Sequence, residues 1–225
     1  MHRWGMVIDL DKCTRCQACV VACMVENNIP YPAEDNTLRS RNIGWMRMIR
    51  FETESERMVI PRPCLHCDNP PCVKVCPVQA TSKDSNGLVC QIYSRCIGCR
   101  YCTSGCPYTV RCFNWKLPTW PESSKEGLNP DVSIRPMGVV EKCTFCYHRL
   151  QKVKDQARFE KREIEDGEYV PACVEACPSK AMYFGDLNNL RSQVYQLSKN
   201  TRAFRLLENL GTEPKLYYLS EVKHE

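Results

Sequence analysis

The sequence lacks any long apolar run. The longest wholly apolar stretch, Ala18 to Val25, has eight residues, whereas a membrane-spanning helix needs about 20. We therefore expect no direct membrane span, and any membrane association has to go through a partner.

The sequence also lacks the marks of a secreted disulfide scaffold. Residues 1–10 contain neither an apolar h-region nor a small-residue cleavage site. Disulfide scaffolds are usually short secreted chains, whereas this chain has 225 residues, 18 of them cysteine. Such a cysteine content then indicates zinc or iron–sulfur clusters.

Conventional apolar residues are scarce as well. Hydrophobic residues make up 43% of the chain, and that figure includes all the cysteines. The apolar core is therefore thin for this length, and we expect a bound group to help hold the chain together.

What the sequence has instead is four clumps of cysteine. Three clumps are continuous and the fourth is split by a 26-residue segment; the members are Cys13, Cys16, Cys19 and Cys23, then Cys64, Cys67, Cys72 and Cys76, then Cys96, Cys99, Cys102 and Cys106, and finally Cys143, Cys146, Cys173 and Cys177. Only Cys90 and Cys112 stand outside the clumps.

The clumps form an internal repeat. Cys76, Cys106 and Cys177 are each followed by proline, and the strand-like runs Met6–Leu10 and Leu88–Ile92 precede two of the cysteine triples. The spacing C-x2-C-x2-C-x3-C-Pro is that of bacterial ferredoxin halves, in which the fourth cysteine serves the neighbouring cluster. This spacing supports an exchange of ligands between the second and third clumps.

The ligand chemistry favours iron–sulfur clusters over zinc. Iron bridged by sulfide prefers soft thiolate donors, and a CxxCxxC loop can present three of them to one cluster. Zinc sites are built from two pairs of ligands and need neither a triple nor a Cys-Pro ending. Four complete sets of four cysteines therefore predict four [4Fe–4S] clusters.

No catalytic constellation is present. A radical-SAM enzyme needs the cysteine spacing C-x3-C-x2-C. The last cysteine of that motif would stand three positions after Cys23, Cys76, Cys106 or Cys177. These positions hold Glu26, Gln79, Thr109 and Lys180 instead. We interpret His66 and His148 as hydrogen-bonding or surface residues, since each cysteine set already supplies four thiolates. Cys90 and Cys112 are interpreted as small buried apolar residues.

The net charge gives no support to nucleic-acid binding. The formal charge is +5 with neutral cysteines, and four clusters of about −2 each would bring it to about −3. We expect no nucleic-acid partner.

Several local structures follow from the pattern. We predict a helix around Cys19 and Cys23, a strand over Trp45 to Glu52, a surface loop over 113–141, and a solvated helix over Gln151–Glu165. In the tail, the spacing of Leu187, Leu190, Val194 and Leu197 predicts a helix capped by Asp186. A second helix is predicted from Thr201 to Gly211, and an extended segment over Lys215–Leu219.

The chain resembles the four-cluster iron–sulfur subunits of molybdopterin oxidoreductases, of the dimethyl sulfoxide reductase and polysulfide reductase type. The resemblance covers nearly the whole chain, and the matching stretches are Val7–Cys23, Cys64–Ala80, Cys96–Pro107, Lys142–Arg149 and Pro171–Leu187. It implies an α+β fold of two ferredoxin-like domains with loop insertions and a C-terminal helical tail. The outer domain would comprise 1–30 and 138–185, the inner domain 60–112, the insertions 31–59 and 113–137, and the tail 186–225.

The resemblance also implies how the cysteines are shared among clusters. The four implied sets are Cys64, Cys67, Cys72 and Cys106; Cys96, Cys99, Cys102 and Cys76; Cys13, Cys16, Cys19 and Cys177; and Cys143, Cys146, Cys173 and Cys23. Some relatives lack one cysteine and carry a three-iron cluster. All sixteen positions are cysteine here, which favours four complete cubanes.

The implied role is a non-catalytic electron-transfer subunit. Single electrons would pass between a molybdopterin catalytic subunit, with molybdenum or tungsten, and a polytopic quinone-binding membrane subunit. The alternatives are a cluster-relay subunit of a hydrogenase or soluble dehydrogenase, and a structural metal-binding module. We expect a location at the membrane surface through partner subunits, on the cytoplasmic face or, after export with a partner bearing a twin-arginine signal, on the periplasmic face.

Overall fold

The computed structural model describes residues 2–31, 41–52 and 57–221. In these ranges the strands are β1 (Trp4–Asp9), β2 (Arg47–Glu52), β3 (Arg57–Arg62), β4 (Thr81–Lys83), β5 (Val89–Gln91), β6 (Cys112–Phe113), β7 (Val140–Glu141), β8 (Met182–Asp186), β9 (Ala203–Phe204) and β10 (Leu216–Leu219). The α-helices are α1 (Ala18–Glu26), α2 (Pro71–Lys74), α3 (Tyr101–Ser104), α4 (Glu122–Lys125), α5 (Tyr147–Phe159), α6 (Ala172–Glu175) and α7 (Gln193–Ser198).

The largest sheet has the strand order β8-β1-β10-β9. Strand β1 pairs antiparallel with β8 and parallel with β10, so all six of its residues are buried. Met6 and Ile8 face a core that contains many of the cysteines. Val7 faces the other way and packs with Leu187 and Val194 under α7. This central strand therefore separates the cysteine-rich core from a small second apolar layer.

Three further pairs of strands form antiparallel ribbons, β2 with β3, β4 with β5, and β6 with β7. The predicted strands preceding Cys13 and Cys96 are confirmed as β1 and β5. The strand predicted over Trp45 to Glu52 is confirmed from Arg47 onward, while Trp45 and Met46 are buried just before it.

The helices that carry cysteines differ in length because of proline. Helix α1 contains Cys19 and Cys23 and continues to Glu26, where no proline intervenes. Helices α2, α3 and α6 have four residues each and end before a Cys-Pro pair. A proline disfavours helical backbone in the preceding residue and cannot continue the hydrogen-bond ladder. The sequence repeat thus becomes three short helices and one longer one.

The tail differs from the prediction. Helix α7 spans only Gln193–Ser198, and its N-cap is Ser192, whose hydroxyl accepts from the Tyr195 N–H at 3.1 Å. Asp186 instead ends β8 and accepts from the N–H of Arg3 at 2.8 Å. The helix predicted from Leu187 is therefore wrong in its first half, and Leu190 is exposed.

The second predicted tail helix is also wrong. Between Thr201 and Gly211 the chain forms β9 and a single 3₁₀ turn, Glu208–Leu210. Strand β9 pairs with β10 at the edge of the sheet, and this pairing competes with helix formation here. The extended segment Lys215–Leu219 is confirmed as β10. The expected helical tail is mainly an extension of the sheet.

The two remaining segment predictions hold in part. The charged helix starts directly after Cys146 and ends at Phe159, so it lies several residues earlier than predicted. The 113–141 segment is mostly irregular, but β6 and β7 pair its ends and α4 lies within it. Of the 31–59 insertion, residues 32–40 and 53–56 lie outside the described ranges. None of the helices described combines the length and the apolar character that a bilayer crossing requires.

Candidate iron–sulfur sites

One cavity is lined by Cys64, Cys67, Cys72 and Cys106, which we call the Cys64 group. The first three residues come from the second clump, with Cys72 on α2, while Cys106 follows α3 of the third clump. All four side chains are buried.

A second cavity shows the reciprocal exchange. It is lined by Cys96, Cys99 and Cys102 together with Cys76 of the second clump. We call these residues the Cys96 group. Cys99 is exposed, unlike any member of the Cys64 group. The structure thus brings the second and third clumps together as the spacing predicts.

The outer clumps are combined in the same manner. One cavity is lined by Cys13, Cys16, Cys19 and Cys177, which we call the Cys13 group. Of these four residues, Cys16 is exposed. Contacts between α1 and α6 join these distant parts of the chain.

The last four cysteines are packed together in the core. Burial, followed by the charges of Cys143, Cys173 and Cys146, raises the pKa of Cys23 well above its usual value. These four residues, all buried, are the Cys143 group. Each of the four groups therefore combines cysteines from two different clumps.

The groups also adjoin one another in a definite order. After burial, the charge of Cys64 is the largest cause that raises the pKa of Cys143 to about 12, so the Cys64 and Cys143 groups are neighbours. Cys173 is influenced by Cys19 of the Cys13 group. Cys72 and Cys102 both interact with the Arg111 guanidinium, which joins the Cys64 group to the Cys96 group.

A shared backbone feature shapes the four loops. The residue two positions after the first cysteine of each group has a left-handed conformation, with φ of 60° at Arg15, 43° at His66, 71° at Gly98 and 55° at Phe145. Such backbone is uncommon outside glycine and turns the chain sharply. The four loops are therefore more alike in backbone conformation than in sequence, because only one of these four residues is glycine.

The loops direct hydrogen-bond donors at the sulfurs. The Phe145 N–H lies 3.4 Å from the Cys143 sulfur, and the Ala181 N–H lies 3.4 Å from the Cys177 sulfur. The Ala18 N–H, followed by the Thr14 hydroxyl, lowers the pKa of Cys16. Donors aimed at ligand sulfurs stabilise a negatively charged cluster.

The donor set fits an iron–sulfur cluster. Burial, followed by the charges of Cys13, Cys177 and Cys16, raises the pKa of Cys19 to about 11. Four adjoining buried thiols become thiolates only when positive charge compensates their negative charge. The iron of a cluster supplies this positive charge. Within the described ranges, no three histidine, cysteine, aspartate or glutamate side chains converge as ligands of one metal ion.

Two polar residues beside the sulfurs were not identified from the sequence. Arg111 is buried and its Nη2 lies 3.2 Å from the Cys72 sulfur. The Asn27 amide nitrogen lies 3.7 Å from the Cys146 sulfur and 3.9 Å from the Cys23 sulfur. Asn27 follows Cys23 by four residues, a helical spacing that could have identified it, whereas no sequence signal marks Arg111.

The histidines behave as the sequence indicated. The His66 Nδ1 accepts from the Val89 N–H at 3.1 Å, so its Nε2–H donates to the Cys143 carbonyl at 3.1 Å. Both nitrogens are thus occupied, and burial lowers the pKa of His66 well below its usual value. His148 Nε2 donates to Glu26 at 2.7 Å.

The two cysteines outside the clumps have other contacts. Cys112 is buried, and its thiol lies 3.6 Å from the Gly44 carbonyl and 3.4 Å from Arg47 Nη2. Cys90 is half-buried in β5 and lies 3.6 Å from the Leu88 carbonyl. These contacts agree with a structural interpretation of both residues.

Comparison with known proteins connects these sites to a function. Residues 55–123 match a family model described as a 4Fe–4S dicluster domain, and residues 4–25 match one described as a 4Fe–4S binding domain. The chain is therefore a 4Fe–4S protein with ferredoxin-type domains of mixed α/β structure.

Three curated relatives align with almost the entire chain. The iron–sulfur cluster-binding subunit of menaquinone reductase from Nitratidesulfovibrio vulgaris is 54% identical, over 97% of this chain and 89% of the relative. Iron–sulfur subunit 1 of the Hdr-like menaquinol oxidoreductase from Archaeoglobus fulgidus is 38% identical, over 96% and 83%. The iron–sulfur subunit of a putative dimethyl sulfoxide reductase from Halobacterium salinarum is 39% identical, over 98% and 80%.

Proposed function

Because this chain belongs to the family of iron–sulfur electron-transfer subunits of respiratory reductases, we propose that it relays electrons through four [4Fe–4S] clusters. The observation that carries this proposal is the assembly of sixteen cysteines into four groups of four. When bound, each cluster takes up and releases one electron. The protein's own contribution is to hold the clusters close together and to exclude water between them.

We assign one cluster to each of the Cys13, Cys64, Cys96 and Cys143 groups. Support comes from the left-handed turn repeated in each loop and from the donors aimed at the sulfurs. The crossover of Cys76 and Cys106 supports an inner ferredoxin-like domain, and that of Cys23 and Cys177 supports an outer one.

The contacts between groups favour a linear order along the relay. It begins at the Cys96 group, passes the Cys64 group and then the Cys143 group, and ends at the Cys13 group. The two inner groups are fully buried, whereas each terminal group has one exposed cysteine, Cys99 or Cys16. Electrons would therefore enter and leave at the two ends.

The proposed partners complete the path. One is a catalytic subunit of the molybdopterin type, with molybdenum or tungsten, because the relatives include a dimethyl sulfoxide reductase subunit. The other is a polytopic membrane subunit that binds a quinone. The names of two relatives favour menaquinone as that quinone. The chain itself would contain no catalytic site and would join the membrane through these partners.

Purification of the native complex tests this function. The chain should co-purify with a molybdopterin-type subunit and a polytopic membrane subunit, and a reduced naphthoquinone should reduce its clusters under anaerobic conditions. The control is the same preparation after the membrane subunit has been removed, in which reduction by quinol should be lost while reduction by dithionite remains. Co-purification with a hydrogenase subunit, without a response to quinol, would contradict the proposal.

A further inference from the structure

Arg111 is a buried cation whose charge is not matched by a carboxylate. Its side chain is 6% exposed, and in the described part of the chain no aspartate or glutamate pairs with it. Its Nη1 donates to the Thr81 hydroxyl and to the Gln91 side-chain oxygen, both at 3.1 Å. These acceptors are neutral, so they orient the guanidinium without neutralising it.

A second buried arginine shows what is unusual about this arrangement. Arg135 is 1% exposed, and its Nε donates to the equally buried Glu141 at 3.0 Å. Burying a charge without a counter-charge is strongly unfavourable. The anionic partner of Arg111 must therefore be something other than a carboxylate.

The sulfurs supply that partner. The Arg111 Nη2 donates to the Cys72 sulfur at 3.2 Å, and Cys72 belongs to the Cys64 group. Cys102 of the Cys96 group packs in one buried cluster with Cys72. The cation therefore lies between two neighbouring groups and is closest to the Cys64 group.

A cation in this position acts more strongly on a reduced cluster than on an oxidised one. Each added electron makes the cluster more negative, and the attraction is weakly screened in the buried environment. Hydrogen bonds to ligand sulfurs and local charge are two of the main determinants of cluster potential.

We propose that Arg111 sets the redox balance of the Cys64-group cluster by stabilising its reduced form, and acts in the same direction, but less strongly, on the Cys96-group cluster. Thr81 and Gln91 lie on the β4–β5 ribbon, and their hydrogen bonds to the guanidinium hold it in place. Arg111 is thus a positioning residue for electron transfer. This inference rests on the proposed function.

The test is an anaerobic potentiometric EPR titration of the native complex and its variants. In Arg111→Gln we expect the midpoint potential of one cluster to fall, with at least a tenfold lower ratio of reduced to oxidised cluster at a fixed potential, equivalent to about 59 mV for a one-electron couple. A second cluster should shift less in the same direction, and Arg111→Lys should restore part of the shift.

Gln91→Glu provides an independent variant of nearly unchanged shape. It places a carboxylate where Nη1 already donates, neutralises the guanidinium, and should lower the same midpoint potential. The matched control is Arg162→Gln, because Arg162 lies outside the cysteine loops and pairs with Glu160 and Glu168. No midpoint shift beyond experimental error is expected there.

The outcomes separate this inference from the proposed function. Four clusters with unchanged potentials in Arg111→Gln and Gln91→Glu would overturn the role of Arg111 and leave the relay intact. If Arg111→Gln assembles poorly, an unchanged potential in Gln91→Glu still overturns it. A wild-type complex without iron–sulfur signals in this chain would overturn both.

Discussion

Cys19 and Cys23 lie one turn apart on helix α1 but belong to different cysteine groups. Cys19 lines the cavity of the Cys13 group, whereas Cys23 lies among Cys143, Cys146 and Cys173. One rigid helix therefore holds two cluster sites next to each other. Because α1 carries one cysteine of each group, we expect a change in this helix to affect both groups.

The ligand assignment predicts a selective loss in Cys23→Ser. The Cys143-group cluster should convert to a three-iron form or be lost, so iron should fall by one to four atoms from about 16 per chain, the content of four cubanes. Iron analysis together with EPR measures this change. The matched control is Cys90→Ser, since Cys90 lies outside the groups, and its iron content should equal that of the wild type. Equal iron in both variants would contradict the assignment.

The loop of the Cys96 group predicts a strict need for glycine at position 98. Gly98 has a φ of +71°, and an added Cβ would lie 2.3 Å from the Gly138 carbonyl oxygen. Gly98→Ala should therefore lower the free energy of unfolding by more than about 1 kcal/mol and reduce the iron content. Gly127→Ala is the control, because the nearest atom to its new Cβ is 3.6 Å away. Thermal unfolding and iron analysis compare the two, and similar behaviour would contradict the prediction.

The buried pair between Arg135 and Glu141 predicts a large stability loss when one partner is removed. Arg135→Met leaves Glu141 buried and unpaired, which typically costs about 3–5 kcal/mol. Lys125→Met is the matched control, because Lys125 pairs with Glu122 at the surface and such pairs contribute about 0–1 kcal/mol. The thermal midpoints of both variants measure this difference. A midpoint for Arg135→Met close to that of the control would show that the pair is not needed.

The contacts of Glu26 predict a stability that depends on pH. Arg149, with help from His148, lowers the pKa of Glu26 to about 2 against burial, from an ordinary value of 4.5. The stability from this carboxylate is thus fully present above about pH 4.5 and is lost as the pH falls toward 2.

Glu26→Gln should therefore be less stable than the wild type at pH 7, on the order of 1–3 kcal/mol for charge-assisted hydrogen bonds. The difference should shrink as the pH drops below 4.5. Thermal unfolding of both proteins at pH 7, 4.5 and 3.5 measures it. A difference that grows on acidification would contradict the expected stabilisation by the ionised carboxylate.

The iron–sulfur ligand motifs could be predicted from the sequence because ligand spacing is a local property. The triples and the Cys-Pro pairs are each set within a few residues, and so are the strand before Cys13 and the helix of Cys19. The contact between Arg111 and Cys72 could not be predicted from the sequence, because the two residues come within 3.2 Å only after the chain has folded.

The C-terminal tail shows that helical spacing of apolar residues does not by itself predict a helix. Leu187, Leu190 and Val194 have helical spacing, but Leu187 packs closely over Gly5 of β1 and Leu190 is exposed. Only Val194 and its neighbours form the helix. Strand β10 pairs with β1 from the other end of the chain, and β9 then pairs with β10. No local sequence pattern indicates such long-range pairing.

We expect sixteen cysteines to hold four iron–sulfur clusters in one chain. The most direct measurement is the metal and acid-labile sulfide content of protein prepared without oxygen. We predict about 16 iron and about 16 sulfide per chain, with brown colour and paramagnetism after dithionite. Stoichiometric zinc, or protein with neither iron nor sulfide, would contradict the account.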